Sequence, residues 1–208
     1  MENLLDACQK EYAEDEVLVC MDETGKQQTL EVAAPIDAGP GRPEIHDFEY
    51  VRNGVSSLFM FYAPLDNGRR AEVTERRTRQ DWARQIEKLV DEDFPGKRIT
   101  LVMDNLNARD IGSPYETFPP AEAHRTASRI NAVFTPKRGS WPDMAEIEIG
   151  VLAKQCPERR IPDREAMRRE VAAWRNCRNA AKATVNWRFT TEDARIGLKS
   201  LYPVIQQS

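Results

Sequence analysis

Residues 99–105 read ITLVMDN, a short β-prone run that is apolar at nearly every position and then turns abruptly polar at Asp104 and Asn105. A run of this kind is what a strand buried on both faces looks like, which places it in an α/β sheet covered by helices on either side. The end of such a strand is also where an α/β sheet opens into a crevice. Asp-Asn after a strand is ordinary turn chemistry as well, so Asp104 gains a role only if other carboxylates are brought to the same place.

Working outward, VLVC (17–20) is a compact strand entering Met21-Asp22-Glu23, and GKQQTLEVAA (25–34) alternates as a second strand, giving a first hairpin. The Gly/Pro-rich APIDAGPGRPEI is a loop, after which VSSLFMFYAP (55–64) gives a third, strongly apolar strand. RTRQDWARQIEKLVDEDF spaces Trp82, Ile86, Leu89 and Val90 as a helix does, and Pro95-Gly96 stops it before the fourth strand, ITLVM. An irregular segment with Gly112, Pro114 and Pro119 follows, then a short helix near 120–130 and a fifth strand, NAVFTP (131–136). In SWPDMAEIEIGVLAKQC, Ser140 is the expected N-cap, with Asp143 as its capping-box partner and Pro142 in the first turn. A last long helix is expected over about 163–182, with Met167, Val171 and Trp174 on its apolar face. The switch from hairpins to strand–helix–strand predicts an α/β fold with a mixed five-stranded sheet flanked by helices.

At 208 residues and 40% hydrophobic content the chain suits one core-bearing domain with a helical extension. The longest apolar run, around LFMFYAPL, is far below membrane-spanning length, and the acidic start MENLLDACQKEYAEDE is unlike a signal peptide, so a cytoplasmic protein without membrane partners is expected. Cys8, Cys20, Cys156 and Cys177 form no close pair and stand far from His46 and His124, which signals neither a zinc site nor a disulfide framework. The net charge of −4 hides a polarised distribution: residues 1–60 carry −9, whereas 154–188 carry ten Lys or Arg against four acids. That basic segment reads either as a solvated helical face or as one that contacts phosphates.

Three carboxylates share a position in this scheme. Asp22 ends the first strand, Asp104 ends the fourth, and Glu146 lies early on the helix after the fifth. With the first and fourth strands adjacent, both aspartates reach one sheet edge, and a helix packed across that edge aims Glu146 at them. Three such carboxylates repel unless a cation compensates. Hard oxygen ligands in a wet crevice suit Mg²⁺ or Mn²⁺, and two such ions side by side activate a nucleophile and stabilise a leaving oxygen in phosphodiester chemistry. Glu23, next to Asp22, and Glu148, about 200° around the helix from Glu146, are expected to be solvent-facing or structural.

At these residues the chain resembles a known family. VCMDETGKQ, GRPEIHDFEYVRNGVSSLFMFYAP, LVMDNLNARD, FTPKRGSWPDMAEIEI and VNWRFTTEDARIGLKSLYP look like consecutive blocks of mariner-like transposases, most closely the bacterial insertion-sequence branch with a DDE catalytic domain, from about residue 15 to residue 203. The resemblance implies a ribonuclease-H-like (retroviral-integrase-type) fold with a basic C-terminal helical extension: a catalytic core over about 15–155 and an extension over about 156–208; complete relatives carry helix-turn-helix modules before the catalytic domain, and no such N-terminal module is expected in this sequence. It implies that Asp22, Asp104 and Glu146 are the catalytic, metal-holding acids, with two Mg²⁺ or Mn²⁺ ions, and that the reaction is DNA cleavage and strand transfer in transposition. Lys137, Arg138, Arg159, Arg160, Arg168 and Arg169 are the expected DNA contacts. The implied partners are transposon ends and target DNA, a separate helix-turn-helix polypeptide or full-length transposase, and a second copy in a homodimer. Asn107-Ala108-Arg109, Lys137-Arg138 and Trp141-Pro142-Asp143 depart from the family's usual Asn-Thr-His, Lys-His and Trp-Leu-Asn. The alternative reading is an inactive transposase relic that only binds DNA or associates with transposase.

Overall fold

A computed structural model describes residues 2–32, 36, 39–43, 49–104, 111–135, 143–156, 161–185, 187 and 190–197. The described residues form one five-stranded sheet in the order β3-β2-β1-β4-β5, built from β1 (Glu16–Glu31), β2 (Tyr50–Ala63), β3 (Gly68–Thr74), β4 (Arg98–Met103) and β5 (Ile130–Phe134). β1, β2 and β3 are an antiparallel meander, while β4 and β5 run parallel to β1. The expected mixed α/β sheet is therefore present, with the strands at 17–20 and 99–103 side by side.

Two strand boundaries differ from the sequence reading. The expected hairpin between 17–20 and 25–34 does not form, because β1 runs unbroken for 16 residues. Its partner β2 is nearly as long and pairs with it from Cys20↔Tyr62 to Glu31↔Tyr50, so the backbone groups of Met21–Gly25 are satisfied by the sheet rather than by a turn. The fifth strand is supplied instead by GRRAEVT at β3, whose basic start masked a clean alternation: Arg69, Ala71 and Val73 are buried.

Each face of the sheet has its own core. Val17, Val19, Met21, Phe59, Phe61, Leu101 and Met103 meet Trp82, Ile86, Leu89 and Val90. Those last four come from α2 (Arg79–Lys88) and the π-helical turn that continues it over Leu89–Asp93. Thr78 opens α2 with a capping box, its hydroxyl accepting from the Asp81 amide while Asp81 accepts from the Thr78 amide. Two short helices, α3 (Ser113–Thr117) and α4 (Pro120–Ser128), lead into β5.

On the opposite face, Leu18, Cys20, Leu58, Met60, Tyr62, Ala71, Val73 and Val102 meet Met144, Ala145, Leu152, Met167, Val171 and Trp174, from α5 (Met144–Gln155) and α6 (Arg164–Ala180). α1 (Glu2–Gln9), not foreseen from sequence, buries Leu4 and Leu5, and Arg195 of α7 (Thr191–Gly197) pairs with its Glu2. Residues alternating along β1 enter different cores, which is why the VLVC run reads as continuously apolar. Among the described residues no helix is long and apolar enough to cross a membrane, and all four cysteines are free thiols.

Candidate active site

The first two candidate acids lie where β4 stops and β1 continues. The last β1–β4 pair is Cys20↔Val102, so two residues further along each parallel strand Asp22 and Asp104 stand level. Asp22 lies mid-strand rather than at a strand end, paired with Met60 of β2, two residues beyond the last β1–β4 pair. Asp22 follows Cys20, and Asp104 follows Val102, at the two-residue spacing that returns to the same sheet face. Both aspartates are half-buried.

The same face carries the start of α5. Its N-cap is Asp143, whose carboxylate accepts from the Ala145 amide at 2.9 Å, in place of the expected Ser140, which lies outside the described residues. The Asp143 side chain is therefore the cap itself and not the far partner of a capping box. Asn and Asp cap equally well, so the family's usual Asn at this position and the Asp found here satisfy the same helix end. The backbone amide of Met144 hydrogen-bonds the Cys20 thiol, fastening the helix start onto β1. Burial, and then the Asp143 charge, raise the Cys20 thiol well above its usual range. The same two causes push Cys8 up to about 12.

Glu146 is the third helical residue after the cap and is exposed. The fold thus brings Asp22 and Asp104 side by side and sets Glu146 on the helix that starts over the same face. It does not bring the three to one point: among the described residues no three Asp, Glu, His or Cys side chains converge closely enough to hold a metal ion. The donor set itself, carboxylate oxygens reachable by water, has the chemistry that Mg²⁺ and Mn²⁺ take.

Of the two expectations for Glu148, solvent-facing or structural, the second holds: its side chain is fully buried between Arg69 and Arg178. Its partners were not legible in the sequence because both arginines come from distant segments. Glu23 is also nearly buried, with Arg77 at 4.0 Å. Of the expected DNA contacts, Arg168 and Arg169 are exposed on α6, with Arg168 also 3.5 Å from Glu165. α6 shares the site's sheet face but packs over β3, the strand at the far edge from β5. Lys137, Arg138, Arg159 and Arg160 lie outside the described residues, as do Arg109 and Trp141.

The family model described as DDE superfamily endonuclease matches residues 17–168, from the first residues of β1 into α6 and across all three acids. The chain belongs to the DDE superfamily of endonucleases. Two solved structures are similar to this DDE domain. The Mos1 transposase paired-end complex with left transposon end shares 13% identity at a TM-score of 0.51, over 84% of this chain and 54% of that one. The Mos1 mariner paired end complex with Mn shares 15% identity at a TM-score of 0.49, over 85% and 54%. The first of these shows the fold, a ribonuclease-H-like mixed sheet flanked by helices, as expected. The DDE domain spans about half the length of the Mos1 chains it matches. No curated protein matches it.

Proposed function

We propose that this DDE superfamily chain is the catalytic domain of a mariner-like transposase of the bacterial insertion-sequence branch, cutting DNA at element ends and joining the freed ends to target DNA. One observation carries the reading: within the matched span, the parallel β1–β4 register runs to Cys20↔Val102, two residues before Asp22 and Asp104, on the face against which the helix bearing Glu146 begins. Asp22 and Asp104 would hold a divalent ion, and Glu146 would complete its oxygen ligands. Mg²⁺ or Mn²⁺, two ions in the full site, supplies Lewis-acid activation and neutralises charge on the phosphate.

No protein nucleophile is required. Water adds to phosphorus as the bond to the 3′-oxygen breaks, leaving a 3′-hydroxyl and a 5′-phosphate. That hydroxyl then attacks a target phosphodiester, forming one P–O bond as another breaks. Arg168 and Arg169, with Lys137, Arg138, Arg159 and Arg160, are the proposed backbone contacts, and such binding weakens steeply with salt.

That no three carboxylates among the described residues converge closely enough to hold a metal ion favours a second reading, a transposase-derived module that binds DNA or transposase without cutting. A nicking assay separates the two. The chain is incubated with supercoiled plasmid carrying element ends in Mg²⁺ or Mn²⁺, and Asp104→Asn is run beside it. The expected result is metal-dependent nicking that falls by at least about a hundredfold in Asp104→Asn, since a charged ligand is lost with its shape kept. Equal nicking by both proteins rejects the triad, and no nicking by the parent chain, even when it is joined to helix-turn-helix modules that bind the ends, favours the second reading.

A further inference from the structure

Resting on that reading of the site, we infer that Glu148 is a positioning residue: clamped between Arg69 of β3 and Arg178 of α6, it sets the rotation of α5 about its axis and so the direction in which Glu146 is presented to Asp22 and Asp104.

α5 needs such a device. Apolar side chains run around most of its circumference (Met144, Ala145, Ile147, Ile149, Val151, Leu152), so hydrophobic burial alone does not define which side meets the sheet. The outcome departs from an amphipathic rule, since Ile147 is 37% exposed while its neighbour Glu148 is fully buried. The buried stripe is Met144, Ala145, Glu148 and Leu152, with the carboxylate at its centre.

The clamp grips from two sides. Arg178 donates Nη2 to Oε1 at 2.8 Å and Nε to Oε2 at 3.0 Å, the bidentate geometry that fixes a carboxylate in orientation as well as position. Arg69 adds a close ionic contact, Nε to Oε2 at 3.0 Å, without an aligned hydrogen bond from that nitrogen. Neither arginine is loose. The Arg69 guanidinium lies 4.9 Å over the Tyr62 ring and donates to the Ala183 carbonyl. Its backbone exchanges two hydrogen bonds with the Asn179 amide. Arg178 lies 5.4 Å over Trp174.

A buried ionic cluster of this kind adds little net stability over an apolar core of the same shape, but it admits fewer arrangements. Successive residues are 100° apart, so Glu146 and Glu148 point in nearly opposite directions. Holding Glu148 inward therefore holds Glu146 outward, and slippage of α5 by one residue would turn Glu146 by about 100°.

The test is a double-mutant cycle read by Mn²⁺ binding, followed by electron paramagnetic resonance titration of the full chain. Glu148→Gln strands two buried arginines and endangers the fold, so the cycle uses Arg178→Gln, which leaves the Arg69–Glu148 pair in place, with thermal melts confirming folded protein. Arg178→Gln is expected to weaken Mn²⁺ affinity about tenfold in the parent chain but by less than about twofold in a Glu146→Gln background, because its effect passes through Glu146. An equal loss in both backgrounds, or no loss in the parent chain, overturns the positioning role. Asp22→Asn keeps the two readings apart: if it leaves Mn²⁺ affinity unchanged, or the parent chain binds no Mn²⁺, the site itself is wrong.

Discussion

Asp143 shows how one residue serves both the fold and the site. It is 2% exposed, caps α5 and places a carboxylate beside Cys20, two residues before Asp22 on β1. A cap accepts hydrogen bonds from helix amides whether its side chain is Asp or Asn, and the positive end of the helix offsets the charge of Asp. Asp143→Asn should therefore stay within about 0.5 kcal/mol of the parent in urea unfolding, whereas Asp143→Ala should lose about 1 kcal/mol or more. A loss as large for Asn as for Ala would show that charge, not capping, makes Asp143 necessary. The sequence exposed Asp22 and Asp104 because each interrupts an apolar strand, a local contrast. It left Glu148 hidden because the burial of that carboxylate depends on guanidinium groups 79 residues before and 30 residues after it, and no local pattern records them.

Among the elements, β1 and β2 decide most. They extend together past the rest of the sheet, and their register shifts between Gln27 and Thr29, where Asn53 and Gly54 face Gln28. Gly54 sits at φ +100°, a region side chains rarely enter, and a Cβ there would lie 3.3 Å from Gln28 Oε1. Gly54→Ala should destabilise the chain by about 1–3 kcal/mol, read as a lower urea midpoint at unchanged slope; a midpoint equal to the parent's would mean that the bulge is not built as described. The sequence reading split β1 in two because Asp22, Glu23, Thr24 and Gly25 look like a turn. Only the presence of an equally long partner makes them strand, and pairing is not a local property. α2, α4 and α6 were legible because their apolar spacing is helical and long enough to outweigh boundary errors.

At the scale of the whole molecule, the charge polarity seen in the sequence proves partly internal. Of the basic residues between 154 and 188, Arg178 pairs with Glu148, Arg164 lies 3.7 Å from Glu75, and Arg168 lies 3.5 Å from Glu165, while Arg169 stays exposed and Arg175 is half-buried. The architecture places α5 and α6 on the same sheet face as Asp22 and Asp104, with α5 against β1 and the basic α6 over β3. The central claim is that Asp22, Asp104 and Glu146 share one metal ion, and backbone cleavage by Fe²⁺ tests it most directly. Fe²⁺ takes the oxygen ligands that Mg²⁺ does, and with ascorbate and peroxide it cuts the polypeptide within reach of the bound ion. Cuts are expected near residues 22, 104 and 146, suppressed together by excess Mg²⁺ and lost together in Asp22→Asn. Cuts that fall elsewhere, or that spare the region around Glu146 while marking the two aspartates, would contradict it.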